Sequence, residues 1–134
     1  MNIYSIVLDI HVITAILGIG PLAAAAALTT SGSSLQLLPL QRIMSLVIWS
    51  IAVMLVSGCV LVALTHGALG ETWWLRISFA MFLILGFLHA RVRRSLRNAG
   101  PTIDSALMRR VNRILWTMCL FVAAIAFLMQ AKPW

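Results

Sequence analysis

Four stretches of this sequence are apolar over about 20 residues each, and this feature constrains the fold more than any other. Spanning the hydrocarbon core of a bilayer takes about 20 mostly apolar residues in an α-helix. In lipid the backbone must satisfy its own hydrogen bonds, which a helix does internally, and no alternation of apolar and polar residues indicates strands. The sequence therefore predicts an all-α, integral membrane four-helix bundle in a single domain, residues 1–134, with helices over approximately 4–28, 43–65, 73–92 and 114–131.

The composition agrees with lipid as the surroundings of the chain. Hydrophobic residues make up 62% and charged residues 10% of the sequence, with a mean hydropathy of +1.03, whereas a soluble domain carries about 25% charged residues. Ten Lys and Arg face three Asp and Glu, for a formal charge of +7. Seven of the basic residues fall between Arg91 and Arg113. Because they lie between two apolar stretches, a membrane surface explains them better than nucleic acid.

The arginines also predict the orientation of the helices. Lys and Arg are enriched in the cytoplasmic loops of membrane proteins. The loop between the third and fourth helices carries seven arginines, whereas only Arg76 flanks the loop between the second and third. We therefore expect the arginine-rich loop to be cytoplasmic, in contact with anionic lipid headgroups, and both termini to lie outside. The expected location is the cytoplasmic (inner) membrane of a bacterium.

Ionisable side chains inside a membrane are costly, so the few present here are the first candidates for chemistry. His11 lies about two turns into the first helix, and Gly18 lies on the same face at i+7. A glycine beside a histidine leaves room for the wide, flat ring of a porphyrin, and haem iron accepts neutral imidazole as an axial ligand. His11 with Gly18 is therefore a candidate haem site. The alternative is a histidine that is hydrogen-bonded within the bundle or reaches the interface.

His66 ends the second helix on the same side of the membrane as His11. Cys59 and Gly58 precede it by seven and eight residues. The two histidines are predicted to form a pair that holds haem or copper, and the alternative for His66 is an ordinary loop residue. Asp9 either orients a histidine ring through a hydrogen bond or is solvated at the start of its helix.

His89 lies near the other membrane surface, directly before the first arginines of the basic loop. With a rise of 1.5 Å per residue, His89 is expected about 20 Å deeper along the membrane normal than His11. One haem would then not be bridged by these two residues. His89 is either a ligand of a separate site, with a partner such as methionine, or a structural or phosphate-contacting residue.

Other chemistries have less support in the sequence. Seven methionines suit Cu(I) through their thioethers, but they form no MxM or MxxM cluster, so bundle packing also explains them. Cys59 and Cys119 lie in apolar stretches without a CxxC motif and are predicted to be buried thiols. The absence of a catalytic triad, phosphate loop, zinc motif or carboxylate pair excludes hydrolytic and phosphoryl-transfer enzymes.

Several short motifs resemble a family of membrane proteins. The run His11-Val-Ile-Thr-Ala-Ile-Leu-Gly-Ile-Gly20 resembles the first helix of the CopD-like proteins, where a Leu-His start is followed by a pair of glycines. Arg42, Val56-Ser-Gly58 and Trp74-Leu-Arg76 fall in the same order as further landmarks of that family. The exit Leu88-His89-Ala-Arg91-Val-Arg93-Arg94 resembles the third helix of the related HemJ-type proteins, where a histidine ends the helix. This resemblance implies a four-helix scaffold with haem or copper chemistry, and it matches His11 and His89 to family histidines.

Two stretches depart from the HemJ-type pattern. Leu22-Ala-Ala-Ala25 and Arg76-Ile-Ser78 stand where that family has a Tyr-Leu-Pro-Arg-type stretch and a His-x-Lys, which argues against protoporphyrinogen oxidation. The leading hypothesis is a small inner-membrane haem b-binding or redox-associated protein, with His11, His66 and His89 as candidate ligands. The alternatives are a copper uptake or tolerance protein and a cofactor-free accessory subunit of a larger membrane complex. Homo-oligomers and enzymatic activity are left open by the residues.

Overall fold

A computed structural model describes residues 2–30, 37–65, 72–99 and 104–131 of this 134-residue chain. The regular elements in these ranges are four α-helices: α1 (Ile3–Thr30), α2 (Leu37–Leu64), α3 (Trp73–Arg97) and α4 (Ser105–Ala131). All four are long and apolar enough to cross a membrane. The prediction of an all-α chain with four helices capable of spanning a membrane is therefore confirmed.

The helices are longer than the apolar stretches predict, mainly next to the arginines. α2 begins at Leu37 rather than near 43, α3 continues to Arg97 rather than to about 92, and α4 begins at Ser105 rather than near 114. Asp104 caps α4, because its Oδ1 accepts a hydrogen bond from the Ala106 N–H at 3.3 Å. In α3 and α4, polar residues extend the helix beyond its apolar segment without penalty where water reaches them. Apolar length alone therefore underestimates these helices.

The four helices form a closed ring in which each packs against two neighbours. α1 and α3 each contact both α2 and α4, most extensively between α1 and α2 and least between α2 and α3. Neighbours are antiparallel: Thr30, at the end of α1, is hydrogen-bonded to Asn112, near the start of α4. We call the end of the bundle that holds Thr30 and Arg97 the arginine end. The far end is the opposite one, where Ile3, Leu64 and Trp73 lie.

The half of the bundle next to the arginine end is tightly packed. Its buried core draws on all four helices and consists of Leu22, Ala25, Ala26, Leu40, Met44, Val47, Leu85, Val92, Leu96, Val111, Leu115 and Met118. In lipid, helices associate through van der Waals packing and small residues rather than through a hydrophobic driving force. Gly18 is one such contact, because a Cβ at this position would lie 2.9 Å from Ser50 Cβ of α2. The close approach of α1 to α2 therefore requires a glycine here.

Hydrogen bonds between helices reinforce the arginine end. Thr29 and Thr30 of α1 donate to Asn112 Oδ1 of α4 at 3.0 and 3.1 Å. Trp116 Nε1 of α4 donates to Thr30 Oγ1 at 3.0 Å. Such bonds contribute about 0.6 kcal/mol each on average in a membrane protein, so this group fixes the register of α1 against α4 more than it adds stability.

The outer surface of the described helices is apolar. Large side chains on each helix are 64% to 69% exposed, namely Ile16, Trp49, Phe87 and Leu120. A monomer that exposed such a surface to water would tend to aggregate, whereas lipid tails solvate it. Together with four helices of membrane length, this surface indicates an integral membrane protein that contacts the lipid bilayer.

Candidate functional site

The half of the bundle next to the far end contains a cavity of about 430 Å³ between α2 and α3, which reaches His11 of α1 and Met129 of α4. We call it the far cavity. Its size lies within the range of about 300–1,000 Å³ that is typical of small-molecule pockets. Apolar side chains form most of its wall, and the lining side chains with nitrogen, oxygen or sulfur atoms are His11, Met54, Cys59, Arg76, Ser78 and Met129.

A smaller cavity of about 220 Å³ lies beside it and draws residues from all four helices. Gly18 and Ser50 belong to its wall, and His11, Met54 and Met129 line both cavities. His11 therefore lies at the boundary of two hollow regions. This loose packing contrasts with the core at the arginine end, where Met44, Leu115 and Met118 are at most 1% exposed.

His11 is held in place by a serine of the neighbouring helix. Its Nδ1 lies 2.7 Å from Ser57 Oγ, and Ser57 Oγ donates its single proton within α2, to Val53 O at 2.8 Å or to Met54 O at 3.2 Å. The hydroxyl proton can instead serve Nδ1; when it is used within α2, the oxygen accepts the bond from Nδ1–H of the imidazole. Nε2 then carries the lone pair. A histidine in this tautomer can ligate a metal through Nε2 or accept a proton there.

The imidazole edge of His11 lies against a glycine of the same neighbouring helix. A Cβ at Gly58 would be 3.6 Å from His11 Cε1, which is an ordinary van der Waals contact. Ser57 and Gly58, which are adjacent in α2, thus both lie next to the imidazole. Ser57 was not predicted as its partner, although a small polar residue in an apolar helix at this depth was the available signal.

Asp9 is not placed to orient the imidazole of His11. It precedes His11 by two residues in α1, which places the two side chains on nearly opposite sides of the helix. Asp9 is exposed, whereas His11 is half-buried. Ser57 orients the imidazole instead.

His89 has a different environment at the arginine end. It is 1% exposed, and its Nε2 lies 2.7 Å from the Met44 backbone oxygen of α2, to which it donates. Met44 and Ser57 are thirteen residues apart in α2, which separates the two histidine sites by about 20 Å along the helix axis. His11 and His89 are therefore not brought together, and the bond to Met44 fits the structural alternative for His89. Its role as a ligand stays a prediction.

The remaining candidate residues are His66, Gly18 and the two cysteines. His66 lies outside the described residues, so its pairing with His11 stays a prediction. Gly18 packs against Ser50 and also lines the smaller cavity. The prediction that Cys59 is a buried thiol is wrong, because its side chain is exposed at the edge of the far cavity, while Cys119 is half-buried. Cys59 belongs to α2, and α2 and α3 are the neighbouring pair of helices with the least contact.

Two methionines share a cavity wall with His11, which their sequence spacing did not predict. Met44 and Met118 belong to the packed core, as ordinary bundle packing predicts. Met54 and Met129, however, come from α2 and α4 to line the same cavity as His11. Within the described ranges, no group of three His, Cys, Asp or Glu residues forms a metal site. Among the described residues, a soft metal site with three protein ligands at the far cavity would need a thioether beside His11 and Cys59.

Comparison with family models, with curated proteins and with solved structures finds no match to this chain. The interpretation of the far cavity therefore rests on its own geometry.

Proposed function

We propose that this chain is a small membrane protein that binds haem b in the far cavity through His11 and takes part in electron transfer or haem handling. The observation that supports the proposal is the hydrogen bond of His11 and its position on the cavity wall. Its Nδ1 lies 2.7 Å from Ser57 Oγ, and an Nδ1–H donated to this oxygen would leave the Nε2 lone pair on a residue that lines two cavities. Histidine ligands of metals commonly donate the other ring N–H to a fixed partner in this way.

The residues around the cavity fit a haem group. Ser57 would keep the imidazole in the ligating tautomer, and the apolar wall would exclude water from the iron. Met54 and Met129 offer thioethers on the far cavity, and thioether with imidazole is a known axial pair for haem. His66 is the other candidate for a second axial ligand. The haem group itself would supply reversible one-electron chemistry at the iron.

The proposal is tested by absorption spectra of the detergent-purified protein, oxidised and dithionite-reduced, with metal analysis. We expect a Soret band and an α-band in the wild type, and loss of both in His11→Ala. His89→Gln is the matched control, because it changes a histidine whose Nε2 already donates to a backbone oxygen. A Soret band that persists in His11→Ala, or no haem in the wild type, contradicts the proposal.

Copper is the second candidate, as a protein of copper uptake or tolerance. The observation that favours it is the meeting of Met54, Met129 and Cys59 with His11 on one cavity, since thioether and thiolate sulfur suit Cu(I). This candidate expects stoichiometric copper without a Soret band, removed by a Cu(I) chelator and reduced in Met54→Leu. A protein with neither cofactor would instead be an accessory subunit of a membrane complex or a homo-oligomer, in which histidine substitutions affect assembly only.

We also propose that the chain belongs with the CopD-like and HemJ-related proteins. The support is the order of its motifs along the helices, from His11 in α1 to His89 in α3.

We propose that the arginine end faces the cytoplasm at a bacterial inner membrane and contacts anionic lipid headgroups. The support is the exposure of the arginines at the end of α3 and the start of α4, namely Arg91, Arg93, Arg94, Arg97, Arg109, Arg110 and Arg113, with Asp104 as the acidic residue described nearby. Both termini would then lie outside. A reporter enzyme that is active only outside the cytoplasm, fused to the C-terminus, is expected to be active, and an inactive but stable fusion would reverse the orientation.

A further inference from the structure

The far cavity has an opening on the side of the bundle. α2 and α3 are joined at the arginine end, where His89 donates to Met44 O and Gln41 Nε2 lies 3.5 Å from Leu96 O. Towards the far end the cavity separates them, and they are the neighbouring pair with the least contact. Cys59 of α2 and other lining residues are themselves exposed. The cavity is therefore reached from outside the bundle between these two helices, and we call this opening the α2–α3 mouth.

Arg76 is the lining residue with a permanent charge at this cavity. It lies in the first turn of α3, near the far end, and its side chain is exposed. The first turn of a membrane helix lies close to the polar interface, where a guanidinium meets polar groups, and Arg76 also has an interaction within the protein. On α2 the wall runs from Met54 to Val62, a length of about 12 Å along the helix. The cavity thus extends from the imidazole of His11 to a cationic rim.

From this arrangement we propose that Arg76 binds an acidic group of the cavity's ligand at the α2–α3 mouth, while His11 holds the part of the ligand that lies among the apolar walls. The inference rests on the proposed function, because the two carboxylates of haem supply the acidic group. A guanidinium recognises a carboxylate through two parallel hydrogen bonds, which a point charge does not reproduce. Arg76 is then a specificity-determining residue that prefers a ligand with a free carboxylate.

The test compares two ligands on two proteins. Apo-protein reconstituted into phosphatidylcholine vesicles is titrated with haem and with the dimethyl ester of haem, which lacks the free carboxylates, and binding is followed at the Soret band. We expect Arg76→Gln to weaken haem binding about 10- to 100-fold, the effect of losing a charge-assisted hydrogen bond, and to leave binding of the ester unchanged. Arg91→Gln removes the same charge at the arginine end and is expected to change neither affinity.

The outcomes separate this inference from the proposed function. If the wild type takes up no haem, or if His11→Ala binds it equally well, both the proposed function and this inference are wrong. If haem uptake depends on His11 but Arg76→Gln weakens the binding of haem and of its ester equally, only the proposed role of Arg76 is wrong. The same holds if this variant weakens the binding of neither ligand.

A second measurement tests the mouth without using affinity. In the Cys119→Ala variant, Cys59 is the remaining thiol, and its side chain is exposed at the cavity. We expect bound haem to slow alkylation of Cys59 by a membrane-permeant maleimide at least fivefold. Equal rates with and without haem, in protein whose Soret band shows that it is loaded, would contradict a ligand that occupies the α2–α3 mouth.

Discussion

Replacing Ser57 with alanine removes the acceptor that holds the imidazole of His11 while leaving the packing of α2 nearly unchanged. The hydrogen bond that is lost joins Ser57 Oγ to His11 Nδ1 at 2.7 Å. An average hydrogen bond between helices contributes about 0.6 kcal/mol in a membrane protein, so the bundle is expected to remain folded. Loss of the partner that orients a metal-ligating histidine costs about 10- to 100-fold in affinity, which corresponds to about 1.4–2.8 kcal/mol. The effect on haem binding should therefore exceed the effect on folding.

The assay is haem titration of Ser57→Ala together with its reduction potential. Without the acceptor on Nδ1–H, the imidazole donates less electron density to iron, so the potential is expected to rise. Ser78→Ala is the matched control, because Ser78 lines the same cavity but donates only within α3, to Trp74 O at 2.9 Å. Ser57→Thr keeps the hydroxyl and should retain most of the affinity. Wild-type affinity and potential in Ser57→Ala, or an equal loss in Ser78→Ala, would refute the reasoning.

The remaining predictions concern packing. Gly18→Ala should destabilise the bundle by about 1–3 kcal/mol through overpacking, because the new Cβ would lie 2.9 Å from Ser50 Cβ. Gly20→Ala is the control, because a Cβ there meets nothing within 4 Å. This variant should be neutral or slightly stabilising. Equal denaturant midpoints for the two variants would show that α1 and α2 are not in close contact at Gly18. His89→Ala should lower the free energy of unfolding by about 1–3 kcal/mol, because it leaves the Met44 backbone oxygen without its hydrogen bond and a buried space unfilled. The Soret band should persist in this variant. Loss of the band in folded protein would make His89 a ligand.

Some features of this protein can be predicted from its sequence without knowledge of how the helices are arranged. The number and approximate positions of the four helices follow from apolar length. These features are local, since each depends on residues a few positions apart along one helix. The predicted axial separation of His11 and His89 also agrees with their partners on α2, because helical rise fixes depth along the membrane normal.

The sequence by itself therefore determined four helices of membrane length, the positions of the arginines and the short set of intramembrane histidines. Only the tertiary structure decided which helices are neighbours and which side of each faces inward. α1 shows the reason: it is apolar on every side, so its periodicity does not mark a buried face, and in lipid the choice depends on contacts such as Gly18 against Ser50. The meeting of His11 with Ser57, 46 residues away, and with Met129 arises from those contacts. Contacts between helices depend on how surfaces fit across the bundle, whereas the helices themselves depend on hydrogen bonds within each segment.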